Sequence, residues 1–243
     1  MKNQNRQEPL KYLFAKYGID FNEIELLISG EKYTAVMLKD KKIGVCANLA
    51  EAIDDDLSRY ENLNLDRIAD RIFLNAYYNA KFNNGGNDIG QDLLKIIDIC
   101  SFQKIVMIGN FYPIVAKFKK MNVETAVFDL KNNAPYLIPM KKQKEYLQQA
   151  DCVILTATTI FNQTFMDITD NTKEGCEIFV LGPSTPMLSE MLDYRNIKHL
   201  FGTSFSIGDR RVLDSIGNDE GPRMFLKFGN KTMLLDNEIK EIK

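Results

Sequence analysis

The chain has little histidine and few cysteines, and this scarcity excludes several kinds of site. His199 is the sole histidine, and the four cysteines, Cys46, Cys100, Cys152 and Cys176, lie far apart and form no C-x-x-C pair. Neither a zinc knuckle nor a disulfide framework is therefore indicated. Cysteines that adjoin apolar segments, as three of these do, usually behave as small buried hydrophobes.

A hydrolytic triad is also disfavoured. No G-x-S-x-G motif occurs, and a Ser-His-Asp arrangement would have to use His199, which begins a predicted strand. The acid–base candidates that remain are Asp129, Tyr112 and Asp209, and spacing singles out none of them. Whether the protein is an enzyme is left open by its residues.

Long apolar segments and concentrated charge are absent as well. The N-terminal MKNQNRQEPL has no apolar region typical of a signal peptide, and no segment reaches the roughly 18 to 20 apolar residues of a membrane span. We therefore expect a cytoplasmic protein with no membrane partner. The net charge is −2 and lysine and arginine are scattered, so no nucleic-acid partner is expected. The oligomeric state is not specified by these features.

The chain of 243 residues is long enough for one large core or two modest ones. A turn-rich segment, FNNGGNDIG at 82–90, separates two patterns. Before it we predict a helix at 6–17, three strands in NEIELLISG, YTAVMLK and KIGVCAN, and helices at 49–60 and 64–81. This pattern predicts a small α+β domain over residues 1–85.

After the break, short apolar segments alternate with helix-compatible ones. We predict strands at 104–109, 124–130, 151–156, 177–182 and 198–202. The intervening helices would be PIVAKFKKM, QKEYLQQA, FMDITDNTK, PMLSEMLDYR and IGDRRVLDSIG. Such alternation indicates βαβ units and a mostly parallel sheet over residues 86–243. MFLKF and KTMLL could form a terminal hairpin at the sheet edge.

Polar turns follow most of the predicted strands. Small and polar residues dominate GNFYP (109–113), TATTIFNQT (156–164), GPSTP (182–186) and GTSFS (202–206), and Asp129 ends another strand. In an open α/β sheet, ligands bind outside the carboxyl ends of the strands. We therefore expect a small polar or anionic ligand to lie against these turns, where helix N-termini favour anions.

Helix capping is the alternative explanation for these hydroxyls. Thr185 before Pro186 resembles an N-cap, and Thr164 with Asp167 is close to a capping box. Capping does not require the additional polar residues of the same turns. That surplus, which indicates a ligand site, consists of Thr156, Thr158, Thr159, Asn162 and Ser184.

Two asparagines of the predicted helix at 64–81 add a second indication. Asn79 falls within the apolar stripe of that helix and Asn75 lies at its margin. Buried amides need hydrogen-bond partners. These two either bond the main chain of a neighbouring segment or face a cleft between the domains, which is a preferred place for ligands.

The same turns bear on whether a dinucleotide cofactor binds. Gly109 follows a strand and Asp129 lies twenty residues later, where a ribose-binding carboxylate is expected. The turn is G-N-F-Y-P, however, with bulky Phe111 at the second glycine position and Pro113 lacking an N–H. Asp129 favours a nucleotide and the missing glycine pattern disfavours it. A Rossmann-type enzyme using a nucleotide-like cofactor in cofactor or heterocycle biosynthesis is therefore kept as the second hypothesis, behind the ligand-binding one.

The segments RIFLNAYYNA, GNFYP, ADCVILTATTIFNQT and VLGPSTPM together resemble a bacterial and archaeal family described as "putative heavy-metal chelation" proteins, over nearly the whole chain. The resemblance implies an enolase N-terminal-like domain followed by a Rossmann-like domain, with a site in the cleft between them. Ala157 and Asn110 stand where glycine and histidine are common in the family. With neighbouring residues from the turn analysis, the predicted ligand-binding set is Asn75, Asn79, Gly109, Asn110, Phe111, Tyr112, Pro113, Asp129, Thr156, Thr158, Thr159, Asn162, Thr164, Gly182, Pro183, Ser184 and Thr185.

The family description does not translate into metal ligands here. Soft metals prefer thiolate and imidazole donors, and a lone His199 with dispersed cysteines does not supply a ligand set. A hard cation on carboxylates such as Asp129, or a small organic molecule that itself contains a metal, remain the open cofactor alternatives. The leading hypothesis is a binding protein, or an enzyme of unassigned reaction, with a small-molecule ligand in the cleft.

Overall fold

The structure of the protein is a computed structural model that describes residues 7–83, 87–88, 96–131 and 134–235. The predicted domain boundary between residues 85 and 86 lies outside the described residues, as does most of the FNNGGNDIG segment. The fold is α/β, with a three-stranded antiparallel sheet followed by a mostly parallel seven-stranded sheet.

The first sheet is built from consecutive strands joined by tight turns. Strand β2 pairs antiparallel with both neighbours, so that Thr34 lies opposite Ser29 on one side and Cys46 on the other. A helix before the sheet and a long helix after it complete this part. The elements are α1 (Pro9–Tyr17), β1 (Ile24–Ser29), β2 (Tyr33–Leu38), β3 (Ile43–Ala47) and α2 (Ile68–Phe82).

The helix predicted at 49–60 is wrong. Leu49 and Ala50 both have left-handed backbone angles, with φ of 52° and 64°, which a right-handed helix does not allow. The Asp54 and Asp56 carboxylates accept hydrogen bonds from main-chain N–H groups two residues ahead. Such local bonds compete with helix formation, and only a short 3-10 turn at Leu57–Tyr60 results.

The second sheet has the strand order β4-β10-β9-β8-β7-β5-β6. Strands β5 to β9 are parallel to one another, and β10 runs antiparallel between β9 and β4. Their near-continuous burial fits a parallel sheet that is covered on both faces. The strands are β4 (Asn87–Asp88), β5 (Ile105–Ile108), β6 (Thr125–Phe128), β7 (Cys152–Thr156), β8 (Glu177–Leu181), β9 (Ile197–Phe205) and β10 (Gly229–Leu235).

Helices of the second part are short. They are α3 (Tyr112–Lys120), α4 (Gln143–Leu147), α5 (Thr158–Phe161), α6 (Phe165–Asp170), α7 (Arg210–Gly217) and α8 (Pro222–Phe225). Two predictions fail here. The segment 186–195 forms a 3-10 turn at Ser189–Asp193 in place of an α-helix. No terminal hairpin forms, because Pro222 begins α8, as proline at a first helical position favours, and β10 pairs with β9 instead.

The strand order reverses next to β5. From β5 the chain passes to β6 on one side and then crosses to β7 on the other side. The connections after β5 and β7 therefore diverge, which opens a crevice at the carboxyl ends of these strands.

Helix α2 joins the two sheets. Its residues from Asp70 to Ala80 are all buried. A Cβ atom at Gly44 of β3 would lie 1.9 Å from the main-chain nitrogen of Ala80, so α2 packs directly against β3 at a position that only glycine permits. Val36 and Ile72 belong to the same hydrophobic core as Leu155 of β7.

Candidate functional site

A cavity of about 350 Å³ opens at the carboxyl ends of β5, β6 and β7. It occupies the crevice that the strand order creates beside β5. Its lining consists of Leu49, Ile108, Gly109, Asn110, Phe111, Phe128, Asp129, Leu130, Lys131, Met140, Gln143, Thr156, Thr158, Thr159, Asn162, Thr164 and Ile168. The turns after three strands thus meet around one space, which we call the switch-point cavity.

Asp129 is held firmly at the end of β6. Its Oδ2 atom accepts a hydrogen bond from the main-chain N–H of Asn110 at 2.7 Å, and its Oδ1 atom accepts one from the N–H of Lys131 at 2.8 Å. A carboxylate has about four lone-pair positions. Asp129 therefore retains acceptor capacity toward the cavity while its orientation is fixed.

At the base of the cavity, the main chain at the end of β5 lies very close to the end of β7. Gly109 has a φ of 93°, and a Cβ atom there would lie 2.8 Å from the Cβ of Thr156. Glycine adopts this backbone conformation at little cost, and its lack of a side chain lets the end of β5 touch Thr156 of β7.

The threonines of the 156–164 turn bond mainly to one another and to their own main chain. The Thr156 and Thr158 hydroxyls are 3.1 Å apart, and the Thr159 hydroxyl donates to the Thr156 carbonyl at 2.8 Å. Thr164 lies at the N-cap position of α6, as predicted, but its hydroxyl donates to Asn162 Oδ1 at 2.7 Å and makes no capping hydrogen bond. The predicted helix start is therefore confirmed, and the predicted side-chain cap is wrong.

One wall of the cavity comes from the first part of the chain. Leu49 lies in the left-handed turn after β3, and its carbonyl accepts a hydrogen bond from the Lys131 ammonium. Across the opening, the Tyr136 hydroxyl donates to Asn110 Oδ1 at 2.9 Å. These contacts fix the turn after β3 and the turn after β5 relative to the loop after β6.

The remaining predicted residues are outside the cavity lining. Tyr112 begins α3 with 62% of its surface exposed, and Pro113 beside it is exposed as well. Six others, four of them buried and two (Gly182 and Pro183) half-buried, lie at a junction between α2, β3 and the turn after β8. They are Asn75, Asn79, Gly182, Pro183, Ser184 and Thr185.

Hydrogen bonds explain that junction. Asn75 donates to the Ser184 carbonyl at 2.9 Å and Asn79 to the Val45 carbonyl at 2.8 Å. The Thr185 hydroxyl donates to the Gly182 carbonyl at 2.7 Å. Of the two sequence alternatives for the asparagines, main-chain bonding is observed. The N-cap predicted for Thr185 is wrong, because no α-helix begins there.

Sequence analysis missed the regularity behind these bonds. Arg71, Asn75 and Asn79 of α2 and Asn83 at its C-cap recur every four residues and are all buried, and we call them the polar ridge of α2. Residues four apart lie on one face of a helix. At one end of the ridge, Arg71 donates to the Ile160 carbonyl after β7 at 2.8 Å. At the other end, Asn83 donates to the Thr185 carbonyl after β8 at 2.9 Å and to the Thr203 carbonyl in β9 at 3.4 Å.

Arg71 links the ridge to the switch-point cavity. Its guanidinium donates to the carbonyls of Ile160 and Phe161 at the end of α5 and to the Glu8 carboxylate. Helix α5 begins with Thr158, which lines the cavity. The amide oxygens of Asn75 and Asn79 are buried without a hydrogen-bond partner among the described residues.

The donor set does not fit a soft heavy metal. Among the residues that the structure describes, no group of three or more His, Cys, Asp or Glu could hold an ion. Cys46, Cys152 and Cys176 are buried, and burial raises the pKa of Cys46 and of Cys176 to about 12 and raises that of Cys152 as well. Metals bind the thiolate, which these thiols do not readily form.

The acid–base candidates are not brought together. Asp209 caps α7 and bonds Arg211, and the exposed Tyr112 lies outside the lining. Of the three candidates, Asp129 alone faces the cavity.

Within the described ranges, no helix is long and apolar enough to cross a membrane.

These features define an α/β protein with a cavity, lined by both apolar and polar side chains, at the switch point of a mostly parallel sheet. The chain belongs to the DUF364 family, described as "Putative heavy-metal chelation", whose sequence pattern matches residues 92–235. An uncharacterized protein of Methanocaldococcus jannaschii is 24% identical over 254 residues, which cover 97% of this chain and 90% of that protein.

Two solved structures of DUF364 proteins of unknown function have the same fold. The one from Pyrococcus horikoshii matches with a TM-score of 0.71 and 21% identity, over 88% of this chain and 93% of its own. The one from Desulfitobacterium hafniense matches with a TM-score of 0.74 and 14% identity, over 96% and 100%. At these identities the likeness concerns the fold alone.

Proposed function

We propose that this protein binds a small polar organic molecule in the switch-point cavity, either as a carrier or as an enzyme acting on that molecule. The observation behind the proposal is the convergence of three turns, after β5, β6 and β7, on one space. Its polar groups include Asn110, Asp129, Thr158 and Asn162. A volume of about 350 Å³ lies within the range of small-molecule sites, roughly 300 to 1,000 Å³.

The second candidate, a nucleotide-type enzyme, is favoured by the position of Asp129 at the end of β6. The turn after β5 argues against a dinucleotide. The N–H of Asn110 donates to Asp129, that of Phe111 to the Gly109 carbonyl and that of Tyr112 to the Asn110 carbonyl. A pyrophosphate needs such N–H groups, and here they are already bonded within the protein.

The family description, heavy-metal chelation, is compatible with this site if the metal is bound to an organic molecule. Because three of the four cysteines are buried and the exposed Cys100 is isolated from them, a metal would arrive as part of the bound organic molecule, held through that molecule's own polar groups. Direct chelation by thiolates is not part of the proposal.

Native mass spectrometry of the freshly purified protein, compared with its denatured mass, tests the proposal. The wild-type chain is expected to retain a defined extra mass. Thr158→Phe should remove it, because the larger side chain fills the cavity, whereas Thr158→Ser should keep it, because the hydroxyl remains.

The two variants separate a cavity ligand from a surface adduct. An extra mass that persists in Thr158→Phe, with circular dichroism showing a folded chain, would place the ligand elsewhere. A bare wild-type chain that also shows no thermal stabilisation by any compound of a metabolite library would count against a small-molecule function.

A further inference from the structure

The hydrogen-bonding groups of the switch-point cavity define a class of ligand. We infer that the molecule bound there is uncharged or cationic and rich in hydroxyl or amine donors, and that phosphate esters and carboxylates are rejected. This inference rests on the proposed function and narrows the polar or anionic ligand expected from sequence.

The charged groups of the cavity lining place a fixed negative charge beside the ligand. Among the described residues of the lining, Asp129 is the one carboxylate, and two main-chain N–H groups hold it in place. Lys131 is the one cation among them, and one of its three ammonium hydrogens is donated to the Leu49 carbonyl. An anionic ligand would lie beside a fixed carboxylate and would share the Lys131 ammonium with Leu49.

Most threonine hydroxyl hydrogens of the lining are already used within the protein. Those of Thr159 and Thr164 are donated to the Thr156 carbonyl and to Asn162 Oδ1. Thr156 and Thr158 share one hydrogen bond, so a single hydroxyl hydrogen of this pair is left for a ligand. Each hydroxyl oxygen has two lone pairs. The threonines therefore offer the cavity more acceptors than donors.

Main-chain N–H groups around the cavity are also in use. Besides those of the turn after β5, the N–H of Ala157 donates to the Leu181 carbonyl at 2.9 Å, and that of Thr164 donates to Asn162 Oδ1 at 3.1 Å. Among the described residues, these bonded N–H groups are not free to form the kind of cluster that binds phosphate in other proteins. The main remaining donors are the side-chain amide groups of Asn110, Gln143 and Asn162, together with the ammonium hydrogens of Lys131 that are not bonded to Leu49.

Matching these groups requires a ligand with many donors. Hydroxyl or amine hydrogens would pair with the spare lone pairs of Asp129, Thr158 and Thr159, and a hydrogen bond to a charged acceptor is stronger than one between neutral groups. A phosphate or carboxylate would leave acceptors facing acceptors, and such unpaired, repelling groups are how sites reject a wrong ligand. The apolar side chains of Phe111 and Met140 would contact the carbon framework.

The test has two arms. In the first, small molecules released by denaturing the purified protein are identified by liquid chromatography and mass spectrometry. In the second, isothermal titration compares paired probes that differ by one phosphate: adenosine and AMP, ribose and ribose 5-phosphate, glucosamine and glucosamine 6-phosphate. We expect a released molecule without phosphate or carboxylate, and at least about tenfold tighter binding of the unphosphorylated member of any pair that binds.

Asp129→Asn tests the origin of the preference. This variant keeps the shape and one acceptor oxygen but removes the charge, so the preference should fall to about threefold or less. Asp214→Asn, on the exposed surface of α7, should leave it unchanged. If Asp129→Asn does not fold, Thr158→Val, which removes one acceptor oxygen, should weaken binding of the unphosphorylated probe by about tenfold.

The outcomes separate the two claims. A phosphorylated or carboxylated molecule released from the wild type but not from Thr158→Phe would overturn this inference and leave the proposed function standing. An unchanged preference in Asp129→Asn and unchanged binding in Thr158→Val would also overturn it. No released molecule together with no binding of any probe would count against the proposed function itself, and this inference would fall with it.

Discussion

The Asp129 carboxylate, at the end of β6, accepts a hydrogen bond of 2.7 Å from the main-chain N–H of Asn110, the second residue after β5. In a dinucleotide-binding protein this turn presents its N–H groups to pyrophosphate. Here a side chain of the protein itself occupies that position. The same carboxylate thus supports the loop architecture and supplies the cavity with its fixed negative charge.

The polar ridge of α2 predicts a large stability cost for Arg71→Met. The substitution would leave the Ile160 and Phe161 carbonyls and the Glu8 carboxylate without the guanidinium, and breaking a buried ion pair costs about 3 to 5 kcal/mol. Urea unfolding should show this loss. Arg210→Met, at a residue whose side chain is mostly exposed, should change stability by less than about 0.5 kcal/mol. Equal effects of the two substitutions would contradict a buried structural role for Arg71.

The left-handed turn after β3 predicts that Ala50→Gly stabilises the protein. Ala50 has a φ of 64°, which costs an L-residue roughly 1 to 2 kcal/mol, and the greater chain entropy of glycine in the unfolded state offsets about 0.4 to 1 kcal/mol of the gain. A net gain of about 0.5 kcal/mol is expected in thermal unfolding. The same substitution inside helix α3, Ala116→Gly, should destabilise by about 1 kcal/mol. A loss in both variants would show that the turn is not strained.

The cysteines predict a simple labelling pattern. Cys100 is exposed, whereas Cys46, Cys152 and Cys176 are buried, and burial holds the pKa of Cys46 at about 12. Because the thiolate is the reactive form, iodoacetamide at pH 8 should modify Cys100 in the folded protein and all four cysteines in denaturant. Labelling of Cys46 in the folded protein would mean that the contact between β3 and the turn containing Ser184 opens often enough to expose the thiol.

Glu190 predicts a pH dependence of stability. Burial opposes its ionisation, but hydrogen bonds from the Lys16 ammonium and the Tyr17 hydroxyl outweigh burial and lower the pKa of Glu190 from 4.5 to about 2. Its contribution is therefore fully present above pH 4.5 and is lost as the pH falls toward 2. The stability difference between wild type and Glu190→Gln should shrink between pH 6 and pH 3. Glu174→Gln, at an exposed residue, should show no such trend, and a constant difference for Glu190→Gln would exclude the ion pair.

The strands could be predicted from sequence because buried parallel strands are short, nearly continuous apolar segments. The turn after β3 could not be predicted, because the mixture of apolar and acidic residues at 49–60 is also typical of an amphipathic helix. Its left-handed backbone angles and its carboxylate hydrogen bonds are not visible in the sequence pattern. Hydrogen bonds of Asp54 and Asp56 to their own main chain decided the outcome.

The site was predictable in part for a similar reason. The polar turns after β5, β6 and β7 meet because the carboxyl ends of parallel strands share one edge of the sheet. Leu49 and Lys131 also line the cavity, but their proximity depends on how the first sheet packs against the second. Asn75 and Asn79 were recognised as buried amides, yet periodicity alone does not reveal that their partners are the Ser184 and Val45 carbonyls.

A crystal structure of the protein as purified, at a resolution that distinguishes water from organic molecules, would show whether the switch-point cavity holds a ligand. We predict continuous density for a small molecule in the switch-point cavity, with its donor groups within hydrogen-bonding distance of Asp129 and Thr158. Density for a bound molecule only elsewhere, for example beside the cysteines, with the cavity holding water alone, would show that the proposed ligand site is wrong.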